Sequence, residues 1–263
     1  MFTLKFGLYA LGALAAAQSG LAAPAEDASV QYLPSKRDVI EEAPLYAEGG
    51  PKFTDVRKVF NFANQWFNAP LAACAATEAY RSLIKDRLSV KDDGTAVGEV
   101  AVNFPWTPNG PQKIVVQHAQ TPVNSTNDPW WPSAIKWAAT NRENLGIEGL
   151  NGDGGMTEGK PEDAYRLITN REAARVSNPT PDDLNKYIFW ASAAAIAIGM
   201  GDSAENITTW SAITKADPGP TEEGSIGYYD FESGTEKTMS SSDAEKNVRA
   251  LIIDKITAEA QVA

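Results

Sequence analysis

The sequence predicts an α+β protein, with a helical first part followed by a smaller strand-rich second part. Helical patterns recur before residue 175: an Ala-rich run from Ala69 to Ile84, an amphipathic run from Trp131 to Thr140, and a helix start at Pro161-Glu162-Asp163. Beyond Gly201 come Thr- and Ser-rich segments with Tyr228, Tyr229 and Phe231, a composition that suits short strands. Pro179 and Pro181 punctuate the change, so the two parts are expected to span residues 53–178 and 179–263.

Residues 1–23 read as a secretory signal peptide. Lys5 supplies the positive start, Phe6 to Ala17 the apolar run, and Ala15-Ala16-Ala17 or Gly20-Leu21-Ala22 the small-residue cleavage spacing. The apolar run of roughly 12 residues is too short for a bilayer, which needs about 20. Residues 24–52 are polar with scattered prolines and read as a pro-segment or flexible arm. Within them Ser35-Lys36-Arg37 ends on a basic pair, either a dibasic processing site or an ordinary solvated charge pair.

In the Ala69–Ile84 run, Asn68 stands near the cap and Pro70 falls in the first turn, where a missing N–H costs nothing. Ala72, Ala73, Cys74, Ala75 and Ala76 suit a helix packed closely on all sides. Lys91-Asp92-Asp93-Gly94 reads as a turn. Val97 to Phe104 and Ile114 to His118 are strands on either side of a Pro-Trp-Thr-Pro-Asn-Gly loop. Leu150 to Lys160 is Gly-rich. Asp182 to Met200 contains the most apolar stretch after the leader; it is short for a membrane span and reads as buried core.

The 263 residues include 23 basic and 34 acidic ones, a net charge of −11. Setting aside Lys5, Lys36, Arg37, Glu26 and Asp27 leaves 20 basic and 32 acidic residues, or −12. An acidic surface repels nucleic-acid phosphates and anionic lipid, so neither is an expected partner. Cys74 is the single cysteine, which excludes an internal disulfide. Two glycosylation sequons, Asn124-Ser125-Thr126 and Asn206-Ile207-Thr208, agree with secretion, whereas Asn178-Pro179-Thr180 is blocked by its proline.

The order of several segments resembles the calpain-type cysteine protease core, a papain-like architecture. Asn109-Gly110-Pro111-Gln112-Lys113-Ile114-Val115-Val116-Gln117-His118 is similar to that family's "NG…VVVDD.LP" stretch. Trp131-Pro132-Ser133-Ala134-Ile135-Lys136-Trp137-Ala138 is similar to its "WP.LLEKAYAK". A Gly-rich loop (Gly154 to Gly159) and an acidic helix start (Pro161 to Ala164) follow in the family's order. Gly234 to Ser240 with Asp243 resembles its closing "DG.F.MS..DF" segment. The likeness runs from about Phe53 to Ile253 and rests on shared order more than on any one motif. It implies two lobes, the first helical and the second smaller and β-rich.

The family's active-site helix carries a Gln, five further residues, the nucleophilic Cys, a Trp and a run ending in Ala-Ala. Laid without gaps on Gln65, this puts the cysteine position at Leu71, with Pro70 before it and Ala72 at the Trp. The chemistry needs a thiolate at a helix N-terminus, which leucine cannot supply. The family's His position falls on Thr209 and its Asn position on Asp230. Threonine does not titrate in a useful range. Cys74 and His118 form an alternative dyad, set against the readings of a small buried hydrophobe and a structural histidine.

One His and one Cys cannot build a zinc site. The resemblance implies possible calcium binding through acidic loops, and Asn151, Asp153 and Glu158 could supply oxygens, though not at EF-hand spacing. No other cofactor is implied. The Gly-rich loop lacks the Lys and Ser/Thr of a phosphate loop, and no carboxylate pair stands out for glycosidase chemistry. The expectation is a secreted, extracellular, monomeric pseudo-protease that binds a protein or peptide without cleaving it. An active cysteine peptidase with displaced residues and a secreted binding or structural protein of unrelated fold are the alternatives.

Overall fold

The computed structural model describes residues 43–56, 64–90, 98–121, 128–141, 145–152, 155–190, 193–217 and 224–255. The expected signal peptide, the Lys36-Arg37 pair and the Lys91–Gly94 turn lie outside them. The mixed helix-and-sheet expectation holds: six helices accompany two antiparallel sheets among the described residues. Residues 37–263 form one compact unit.

The central element is α1 (Gln65–Ala76), followed by α2 (Glu78–Arg87). The single helix expected over 69–84 is therefore two, and its start lies four residues earlier. Thr77 makes the break. Its backbone is extended (φ −98°, ψ 121°), and both its N–H and its hydroxyl donate to Ala73 O, ending the helical ladder. Arg81 then reaches back to Ala75 O and Ala76 O, satisfying carbonyls that the end of α1 leaves open. Pro70 consequently lies inside the helix rather than in its first turn, and Trp66 O forgoes its i+4 donor.

Every residue of α1 from Gln65 to Ala75 is buried. Small side chains make this possible. Ala69, Ala72, Ala73 and Ala75 let α1 approach the sheet, whose facing positions are also small at Ala197 and Ala212. A helix apolar all round belongs in the interior.

The six-stranded sheet has the order β4-β9-β5-β6-β7-β8: β4 (Ala173–Ser177), β5 (Ala197–Gly201), β6 (Ile207–Asp217), β7 (Ser225–Asp230), β8 (Thr235–Ser240) and β9 (Val248–Asp254). Strand alternation splits its side chains between two cores. Ala197, Ala212, Tyr229 and Ile252 join the α1 core; Ile196, Ile198, Ile213, Ile226, Leu251 and Ile253 join a second cluster with Leu184 and Ala244. Leu184 is on α5 (Pro181–Trp190) and Ala244 on α6 (Ser241–Asn247). The apolar stretch from 182 to 200 is thus a helix and then a strand. The strand-rich part starts at Ala173, because β4 pairs with β9.

The remaining elements cover α1 and its neighbours. The smaller sheet, in order β1-β2-β3, comprises β1 (Leu88–Ser89), β2 (Glu99–Phe104) and β3 (Gln112–Gln117), and packs on α3 (Trp131–Thr140). Both long strands and α3 lie close to where the sequence predicts them. α4 (Pro161–Thr169) packs on α1 and α2, with Pro161 at its first position and Asn170 ending it in the left-handed conformation (φ 60°). Residues 43–52, expected as part of a flexible arm, are instead fastened down. Ala43 and Leu45 are buried, and Pro44 O and Leu45 O accept from the backbone of Trp130 and Trp131.

Candidate functional site

The first turn of α1 is polar and buried, with Asn64, Gln65 and Asn68 all enclosed. Gln65 Oε1 accepts a hydrogen bond of 3.0 Å from the backbone N–H of Trp210 on β6. The sheet explains why that N–H is available. Ile213 N–H is spent on Ile196 O toward β5, so alternation turns Ala212 and Trp210 toward β7. Pairing with β7 runs out at Asp230, and its register puts Tyr229 opposite Ala212. Trp210 therefore lies beyond the end of that ladder, and the Gln65 amide occupies the place of the missing strand.

Trp66, the next residue, carries the Gly-rich segment. Its indole Nε1 donates to Thr157 O at 2.8 Å. Leu150 and Met156 form an antiparallel bridge, and Thr157 N–H donates to Gly149 O at 3.0 Å, closing a small loop. The ring fits because two residues beside it have no side chain. A Cβ on Gly159 would lie 2.5 Å from the Trp66 ring and 2.6 Å from Glu148 O; one on Gly149 would lie 2.8 Å from the ring. Gly149 also has φ +88°, a conformation that other residues rarely adopt. The fold thus gathers the α1 start, the Trp210 edge of β6 and the Gly-rich loop around Gln65-Trp66.

The residues singled out from sequence are dispersed. Leu71 lies in the second turn of α1 and is wholly buried, so the N-terminal position that a nucleophile requires is not its own. α1 begins at Gln65 itself, six residues before Leu71. Thr209 is on β6 beside Trp210, paired with Met200 of β5. Asp230 ends β7 and organises the β7–β8 turn, accepting from Glu232 N–H, Ser233 Oγ and Lys237 Nζ. Burial raises its carboxyl pKa, but these donors, Lys237 first, outweigh it and hold the group below its ordinary value.

Cys74 is fully buried, and burial pushes its thiol well above the ordinary value, with Arg171 opposing and Asp254 adding to the rise. Its neighbourhood is a structural network in which Asp254 Oδ2 accepts from Tyr80 OH at 3.0 Å and Arg171 at 3.1 Å. His118 follows β3, buried edge-on against Trp130 at 5.0 Å between ring centroids. Burial closes the Cys74 thiol to solvent and favours its protonated form, the opposite of what a nucleophile needs.

Of the calcium candidates, Asp153 lies outside the described residues and Glu158 sits in the Gly-rich loop with an exposed side chain. Among the described residues no group of three or more His, Cys, Asp or Glu is placed to hold a metal ion. Asn124 lies outside the described residues; Asn206 is exposed between β5 and β6. No described helix is long and apolar enough to cross a membrane.

Sequence reasoning missed Trp66, Gly149, Gly159 and Trp210. One signal was present: Trp66 is a large aromatic residue beside the small-residue run of α1. The other three act through tertiary contacts alone. No protein-family model matches the chain, and no curated protein matches it.

Proposed function

We propose that this protein is a secreted pseudo-protease of papain-like, calpain-related architecture that binds a protein or peptide without cleaving it. The observation that carries the reading is the identity of the first residue of α1. A central helix aimed at a strand edge is where a papain-like enzyme needs its thiolate, and here that position holds Gln65, an amide engaged with Trp210. The family's Cys-Trp pair then corresponds to Gln65-Trp66, six residues before the ungapped placement.

In this alignment the base and asparagine positions remain Thr209 and Asp230, on neighbouring strands β6 and β7. A glutamine, a threonine and an ion-paired aspartate offer hydrogen bonds but no nucleophile–base couple. The Gly-rich loop, fastened to Trp66 through Thr157 O, carries the half-buried Met156 and the exposed Gly155, the surface to which this reading assigns a peptide.

The test is selection of peptides from a random library on the purified protein, followed by analysis of the retained peptides. Intact peptides are expected, with retention lost in Met156→Arg and kept in Cys74→Ser. Cleavage of the retained peptides, abolished by Cys74→Ser, would replace this reading with an active cysteine peptidase.

A further inference from the structure

We propose that Asn206 carries an N-linked glycan. The inference rests on the reading that the chain enters the secretory pathway, and the fold supplies the rest of the argument. A glycan on a folded protein needs an asparagine at the surface with room around its amide, and a sequon hydroxyl two residues on. Asn206 and Thr208 are both exposed.

The turn that presents Asn206 is well defined. Its N–H donates to Ser203 O and Oγ, each at 3.2 Å. The turn is held from beneath by Arg175, which donates to Ala204 O at 3.3 Å, and by Arg249, which donates to Asp202 O at 3.3 Å. Gly201 permits the close approach, since a Cβ there would lie 2.1 Å from Asn206 O. All of these contacts use backbone atoms of the turn. The Asn206 amide itself makes one long surface contact, 3.4 Å to Asp202 Oδ2, which leaves its second N–H without a role in the fold.

In the reaction, Asn206 Nδ2 attacks the anomeric carbon of a lipid-pyrophosphate-linked oligosaccharide. The C–N bond forms, the C–O bond to phosphate breaks, the lipid pyrophosphate departs with the electron pair, and the amide gives up one proton. Asn178, also exposed and two residues before a threonine, is closed to this chemistry by Pro179.

The experiment expresses the full chain in a eukaryotic secretory host, once with its own N-terminus and once preceded by a foreign secretory leader. Peptide mapping then reads residue 206 before and after peptide-N-glycosidase treatment. In the foreign-leader protein we expect conversion of Asn206 to aspartate on deglycosylation, loss of that glycan in Asn206→Gln and Thr208→Ala, and its retention in Thr208→Ser. Unmodified Asn206 in protein recovered from the medium would overturn the proposal. The chain with its own N-terminus separately decides the secretion reading: if it stays in the cytosol while the foreign-leader protein is modified at Asn206, the leader assignment fails and the site stands.

Discussion

Gln65 and Trp210, 145 residues apart, are joined by one hydrogen bond that extends a β-ladder with a side chain. The bond fixes the start of the central helix against the sheet at the point where β7 stops covering β6. It predicts that Gln65→Ala costs about 1–3 kcal/mol, because the half-buried N–H of Trp210 is left without an acceptor. Gln65→Glu, which keeps an acceptor, is expected to cost less near the pH at which its carboxyl is neutral. Urea unfolding checks both, with a lowered midpoint and an unchanged m-value.

The Trp66 slot predicts an overpacking penalty. Gly159→Ala puts a methyl group into both the indole ring and the carbonyl of Glu148, at an expected cost of about 1–3 kcal/mol. Part of that cost should disappear in a Trp66→Leu background, since one of the two clashes is gone. A double-mutant cycle measures the coupling; strict additivity would show that the two residues do not meet.

Asp230 predicts a pH dependence with a definite sign. Its folded-state pKa lies below the ordinary 3.8, so its contribution to stability is present above that value and is lost as pH falls below it. Wild type should therefore exceed Asp230→Asn in unfolding midpoint near neutral pH, and the gap should narrow as the pH falls below 3.8. A gap that widens on acidification would mean that the turn donors do not favour the charged form.

Cys74 is expected to be silent toward thiol reagents in the native protein and to react once the chain is unfolded. Burial removes both access and thiolate. Titration with an aromatic disulfide reagent, with and without denaturant, reads this directly. Fast labelling of the native state would reopen the cysteine as a nucleophile.

The Asp254 network predicts that Arg171→Ala destabilises more than Tyr80→Phe. Both remove a donor to the same carboxylate oxygen, but the first also removes the positive charge beside a buried Asp254. Because Arg171 is itself 43% exposed, water softens the loss to about 1–3 kcal/mol. Thermal unfolding of the two variants ranks them.

Much of the fold was legible along the chain. Trp131–Thr140 announced its helix through Pro132 and an amphipathic repeat, and Glu99–Phe104 and Gln112–Gln117 announced themselves by branched residues around a Pro/Gly loop. Local chemistry at these places agrees with the final structure. It failed at 65–77, where Pro70 suggested a first turn and Thr77 was read as helical. Burial on every side stabilises a helix through the proline, and the Thr77 hydroxyl ends it by bonding to Ala73 O.

The candidate site was legible only in its parts. The sequence by itself determined that a single cysteine excludes an internal disulfide, that one His and one Cys cannot build a zinc site, and that Leu150 to Lys160 is Gly-rich. Only the tertiary structure decided that Gln65 rather than Ala69 opens the central helix, that Trp66 fills the space left by two glycines, and that Trp210 lies beyond the end of its ladder. Composition and local pattern act through neighbours in sequence. These three facts depend on where a helix meets a strand and a loop from distant parts of the chain, and only packing sets that.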